Sequence, residues 1–174
     1  AELGPRITAL IEETTQRAVI CLGLWPGEPM IRLERIAANI ADFEIADNMG
    51  VMEHGPVVPG GPAALASTLP LPEIRDNLLA ADIPCRLSGT AGQFLCNALM
   101  YHALAACAAH MPAPACGFIH VPYIPQQVAG ILSELRDEAS MELHQRADLA
   151  SMSLDKMAEA IRIAIGTTIE ARTE

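Results

Sequence analysis

Apolar residues along this chain follow two alternating rhythms: short continuous runs bounded by Gly or Pro, and longer stretches repeating every three or four positions. From about Pro5 to Gln16 the spacing is helical, with Ile7, Leu10 and Ile11 on one face. Ala18 to Gly23 is a short apolar run ending in glycine, as expected of a parallel strand covered on both faces. Trp25 to Pro29 then forms a Gly/Pro-rich loop at that strand's C-terminal end, where open α/β sheets place their sites. Leu33 to Ile40 predicts a second strand, and Asn48 to Pro62, with little periodicity, an ordered surface loop. Next come an amphipathic helix over Leu71–Ala81, a strand over Ile83–Ser88, and a helix through Cys96 to about His110, ended by Pro112 and Pro114. Phe118 to Tyr123 is a further strand, Gln126 to Ala150 a charged, helix-prone stretch, and Leu154 to Ala171 an amphipathic C-terminal helix. Strands alternating with helices predict an α/β fold, a layered α/β/α domain with a twisted, largely parallel central sheet. A length of 174 residues suits one domain over residues 1–174.

Composition narrows the function. Aromatic residues are 3 % against 51 % apolar, so the core is built from Ala, Leu, Ile, Val and Met. A formal net charge of −10 argues against nucleic acid as a partner. No apolar run reaches bilayer length and no basic-then-apolar leader opens the chain, so a cytoplasmic protein without a membrane partner is expected. The five cysteines (Cys21, Cys85, Cys96, Cys107 and Cys116) are odd in number and fit no C-x-x-C spacing, which suggests neither a disulfide framework nor a structural metal. Cys21 and Cys107, in apolar surroundings, read as small buried hydrophobes.

Cys96 has a different context. Ser88 to Asn97 reads as a tight Gly-containing turn opening a helix, with Cys96 in its first turn, where free N–H groups and the helix dipole favour a thiolate. In Gly117-Phe118-Ile119-His120-Val121-Pro122-Tyr123-Ile124-Pro125 a single histidine stands near the end of an apolar strand. A lone histidine in such a run is more often a hydrogen-bonded core residue, but beside Cys96 it would complete a thiol nucleophile system. His102 and His110 lie further along the Cys96 helix, His54 in a loop that could line a site, and His144 in the charged stretch. A group that orients the imidazole is also needed. Glu34 is the candidate, with an ion pair to Arg32 or Arg35 as its plainer alternative. Asp47-Asn48 reads as a loop-capping turn, and Asn97 as a brace for the loop or nucleophile, or a local hydrogen-bonding residue.

Taken together these strings resemble the pyroglutamyl peptidase I, or pyrrolidone carboxyl peptidase, family. The matching pieces occur in the family's order: Glu34-Arg35 with Asn39, Asp47-Asn48 with Gly50, Gly60-Gly61-Pro62-Ala63, Thr90-Ala91-Gly92 through Cys96-Asn97 and Tyr101, and Gly117 to Tyr123. Met152 to Asp155 resembles the start of the family's final helix. The resemblance implies a cysteine peptidase that removes N-terminal pyroglutamyl groups, with Cys96 as nucleophile, His120 as general base and acid, and Glu34 orienting His120. It implies a pyroglutamyl peptide as substrate, no metal or other cofactor, a cytoplasmic location, and a homo-oligomer, commonly a tetramer or a dimer.

The chain also departs from the family. Nothing matches its opening strand and G-F-x-P-F-G-like loop, so the domain is expected to lack the family's opening strands, either as an incomplete form of a family member or as one that completes its sheet by association. Trp25 and Phe94 read as packing residues that could offer apolar contact. Glu28 ends a loop that often ends in Arg, and Glu44 stands where bacterial members commonly carry Arg; both put negative charge near the expected site. Two competing readings remain: a catalytically inactive relative serving as a peptide-binding or self-assembling scaffold, and a cysteine hydrolase of other small amides.

Overall fold

The computed structural model describes residues 2–13, 15–137 and 149–173. Its main sheet is built from β1 (Ala18–Leu24), β2 (Ile31–Glu34), β7 (Cys85–Ser88) and β8 (Ala115–Val121), in the order β1-β8-β2-β7. β1 runs parallel to β8 and β2 parallel to β7, while β2 and β8 are antiparallel. The fold is α/β with a mixed, mostly parallel sheet, as the alternation of patterns predicted. β8 is central, and six of its seven residues are buried (all but Val121), which is why its sequence reads as an unbroken apolar run.

The two-residue period of the strands divides the core into two layers. On one face Ile31, Leu33 and Ile119 pack against Leu71, Ile74 and Leu78 of α2 (Leu71–Ala80) and Met157, Ala160 and Ala164 of α5 (Leu154–Glu170). On the other, Cys21, Cys116 and Phe118 pack against Met100, Tyr101, Leu104 and Cys107 of α3 (Leu95–Ala108), with Ile11 of α1 (Leu3–Glu12) behind them. Burying each such Leu or Ile contributes about 1.5–3 kcal/mol. α5 begins at Ser153, whose hydroxyl accepts from Lys156 N–H at 3.3 Å, a side-chain N-cap.

Besides α1 and β8, which begin and end a few residues earlier than expected, three segments differ from the sequence reading. The segment Leu33–Ile40 is two strands, because β2 ends at Glu34 and β3 (Ile36–Ala38) pairs with β6 (Ala64–Ala66) outside the main sheet. The chain changes partners at Arg35, whose N–H donates to Ser88 C=O on β7 while its own C=O accepts from Ser67 N–H. The stretch from Asn48 to Pro62 is mainly loop but contains β5 (His54–Gly55), which pairs with β4 (Ala41–Asp42) as a hairpin. The helix expected from Gln126 is α4 (Pro125–Asp137); 138–148, the rest of that expectation with His144, lie outside the described residues.

Candidate active site

His120 stands near the C-terminal end of β8, on the sheet face covered by α3, and is 1 % exposed. Its register partners are Gly23 on β1 and Arg32 on β2. Glu34, two residues beyond Arg32 and on the same face, is wholly buried, and its Oε1 lies 2.8 Å from His120 Nδ1. With a carboxylate as partner, Nδ1 carries the proton and donates, which leaves Nε2 as the basic nitrogen. His120 Nε2 and Glu34 Oε2 are both buried without a hydrogen-bond partner among the described residues.

Cys96 is the second residue of α3 and half-buried. The N-cap residue Phe94 is extended and supplies no side-chain cap, so the first N–H groups of α3 stay open for an acceptor. A Cβ built on Gly23 would come 3.0 Å from Cys96 Sγ and 2.8 Å from the Phe118 ring. The sulfur therefore lies against β1 beside the residue paired with His120, and only glycine leaves it room. No hydrogen bond to Cys96 Sγ occupies His120 Nε2 in this resting arrangement.

The expectation of a helix-lowered thiol needs correction. The Cys96 thiol is pushed up, first by burial, then by the negative charge of Glu34; its own backbone N–H acts the other way but is the smallest contribution. Desolvation of a half-buried sulfur outweighs the helix end.

The surroundings of Glu34 go beyond what its sequence context indicated. The ion pair to Arg32 offered as an alternative to the histidine contact is present together with it: Arg32 Nε donates to the same Oε1 at 3.0 Å. The buried Arg32 also donates to Ser88 Oγ at 2.7 Å and Thr90 C=O at 3.2 Å, and pairs with Glu28 at 3.4 Å. Its guanidinium lies 3.7 Å over the Trp25 ring, whose edge meets the His120 ring at 5.0 Å between centroids. Trp25 is thus in the site and not merely packed. Glu28 is buried and neutralised by Arg32 and by Arg86 at 2.7 Å, so it does not present a free negative charge.

Asn97 braces α3 over long range, accepting from Ala38 N–H and donating to Ala38 and Ile40 C=O, each at 2.9 Å. Asn39 ties down Val58 and Gly61, Tyr101 OH donates to Pro62 C=O at 2.8 Å, and Asp47 Oδ1 accepts from Met49 and Val51 N–H as the expected turn. Phe94 packs edge-on against buried Phe43. A cleft of about 460 Å³ opens beside the turn before α3, lined by Thr90, Gly92, Gln93 and Phe94 on one side and Asp42, Glu44 and Ile45 on the other. Glu44 does put negative charge there. On that rim His54 contacts Asp42 at 2.8 Å, whereas His102 packs under Gly4 of α1, away from the site. Among the described residues no three His, Cys, Asp or Glu side chains converge as metal ligands.

The family pattern of the pyroglutamyl peptidases matches residues 6–171. The chain belongs to that family. It is 43 % identical over 134 residues to the pyrrolidone-carboxylate peptidase of Pseudomonas fluorescens strain SBW25, a match covering 75 % of this chain and 61 % of that protein. It is 37 % identical over 172 residues to the enzyme of the same description from Cupriavidus pinatubonensis, covering 97 % and 72 %. The crystal structure of the Pyrococcus furiosus pyrrolidone carboxyl peptidase superposes with a TM-score of 0.86 at 36 % identity, covering 97 % of this chain and 76 % of that one. Against these two curated relatives the chain spans 61–72 % of their length. Within this pyroglutamyl peptidase domain, the residues that sequence reasoning undervalued are Arg32, Trp25 and Gly23. A strand's two-residue period could have pointed to Arg32, because it puts Arg32 on the face of Glu34.

Proposed function

We propose that this chain is a cysteine peptidase that removes N-terminal pyroglutamyl residues from peptides, with Cys96 as nucleophile, His120 as general base and acid, and Glu34 as its orienting group. The observation that carries this reading is the buried Glu34–His120 contact, which leaves Nε2 basic on the sheet face where Cys96 Sγ lies. An imidazole prepared in this way beside a thiol at an uncapped helix start is what acyl transfer requires, and it favours the enzyme over the scaffold reading.

In the mechanism, His120 Nε2 takes the Cys96 thiol proton and the sulfur attacks the carbonyl joining the pyroglutamyl ring to the next residue. The open N–H groups at the start of α3 receive the oxyanion. The C–N bond breaks as His120 returns its proton to the leaving amine, and a thioester remains on Cys96. Water, losing its proton to His120, then displaces the sulfur and releases pyroglutamate.

The same reading takes residues 1–174 as one domain and assigns it the family's cytoplasmic location and homo-oligomeric state, dimer or tetramer. β1 is an outer strand of the sheet and carries exposed Leu22 and Leu24, which favour cover by further chain or a second copy. Among the described residues no helix is long and apolar enough to cross a membrane.

The deciding experiment is release of a fluorescent amine from a pyroglutamyl amide, with prolyl and glutaminyl amides as controls. Cleavage of the pyroglutamyl compound alone is expected; equal cleavage of all three would favour the general amidase reading, and none the scaffold. Gly23→Ala gives a further check. Its methyl would crowd Cys96 Sγ and Phe118, so kcat should fall by roughly 10–100-fold through nucleophile displacement. An unchanged kcat would place the reacting sulfur elsewhere.

A further inference from the structure

We propose that Arg32 is a positioning residue of the nucleophile system: it fixes Glu34, Trp25 and the turn before α3 relative to His120, and supplies the countercharge that lets Glu34 sit beside a Cys96 thiolate. This rests on the role proposed above for Cys96, His120 and Glu34, and adds a fourth member to it.

One guanidinium reaches three parts of the site. Nε donates to Glu34 Oε1, the oxygen that receives His120 Nδ1, so the carboxylate is held from two sides. Nη2 donates to Ser88 Oγ and Thr90 C=O, which anchors the end of β7 to the turn that presents the first N–H groups of α3. The cation's flat face covers Trp25, and the indole in turn meets His120 edge-on. At 6 % exposure Arg32 is too buried for a surface ion pair of little consequence. A purely structural cation had no need to share the oxygen that orients the imidazole.

The charges explain why a cation is needed there. Around Cys96 and His120 stand Glu34 and Arg32 from β2 and Cys21 from β1; Cys107 lies beyond Cys21, and Glu28 and Arg86 lie beyond Arg32. Glu34 repels a thiolate at Cys96. Arg32, on Glu34 itself, is the charge that offsets this repulsion. Glu28 opposes it by drawing on the same guanidinium.

The test is the pH dependence of Cys96 alkylation by iodoacetamide, followed by peptide mass mapping in wild type, Arg32→Gln and Glu28→Gln. Loss of the cation should raise the midpoint by on the order of one pH unit, so that alkylation near neutral pH slows about tenfold. Glu28→Gln should move the midpoint the opposite way by a smaller amount. Arg32→Lys, which keeps the charge but not the fork, should restore the midpoint more than it restores kcat for a pyroglutamyl amide. A merely structural Arg32 would lower alkylation at every pH without moving the midpoint, and that result overturns the proposal. If Arg32→Gln does not fold, Glu28→Gln decides alone: a downward shift supports the assignment, and an unmoved or raised midpoint rejects it. Alkylation needs no peptidase activity, so failure of the substrate assignment and failure of the Arg32 assignment are read separately.

Discussion

Cys96→Ser is expected to reduce kcat for a pyroglutamyl amide by roughly three orders of magnitude or more while leaving the thermal midpoint nearly unchanged. The sulfur is half-buried, and the hydroxyl that replaces it is smaller, so the fold loses little. What it loses is an atom whose proton a nearby imidazole can take. The same transfer from a serine hydroxyl is far more demanding, and nothing about this helix start is specialised to assist it beyond its open N–H groups. No other cysteine on this sheet face is a credible substitute, because Cys21, Cys107 and Cys116 are all buried within the core. Steady-state kinetics with Cys96→Ala as a second control give the measurement. Activity within tenfold of wild type in both variants would exclude Cys96 as the nucleophile.

The parts of this site legible in the sequence are those set by local rules. Cys96 follows a glycine turn, and a turn into a helix is readable from Gly89, Gly92 and the apolar spacing that follows. His120 is conspicuous because an apolar strand holds one polar residue. Glu34 entered as one of two plausible uses of a charge, and the structure shows both at once on a single oxygen. Sequence spacing could not give that, since the contact joins residues 86 positions apart on strands that run antiparallel. The same long reach hid Trp25, whose neighbours His120, Arg32 and Gly92 are distant or in another element. The limits of α2, α3 and α5 lie within a few residues of the expected ones, beside Pro70, Pro112 and the Ser153 cap, whereas the break at Arg35 depends on Ser88 and Ser67, which no local pattern reveals. Two local rules misled: at Cys96 burial, a tertiary quantity, pushes the thiol up, and the apolar run expected to be covered on both faces is β1, an outer strand with exposed Leu22 and Leu24.

His120→Gln is the second large effect, with kcat for a pyroglutamyl amide expected to fall by about 10³-fold or more. Arg32 continues to pair with the Glu34 carboxylate, so no buried charge is stranded and folding should survive. Two functions disappear: acceptance of the thiol proton and its delivery to the leaving amine. They can be separated by leaving group. An amine departs only when protonated, whereas an activated phenol departs without help, so the variant should lose much less on a pyroglutamyl phenyl ester than on the amide. The ester deficit then measures the base role alone, and raising the pH should shrink it as the thiol ionises unaided. An equal loss on amide and ester, unmoved by pH, would mean that His120 holds the site together and transfers no proton.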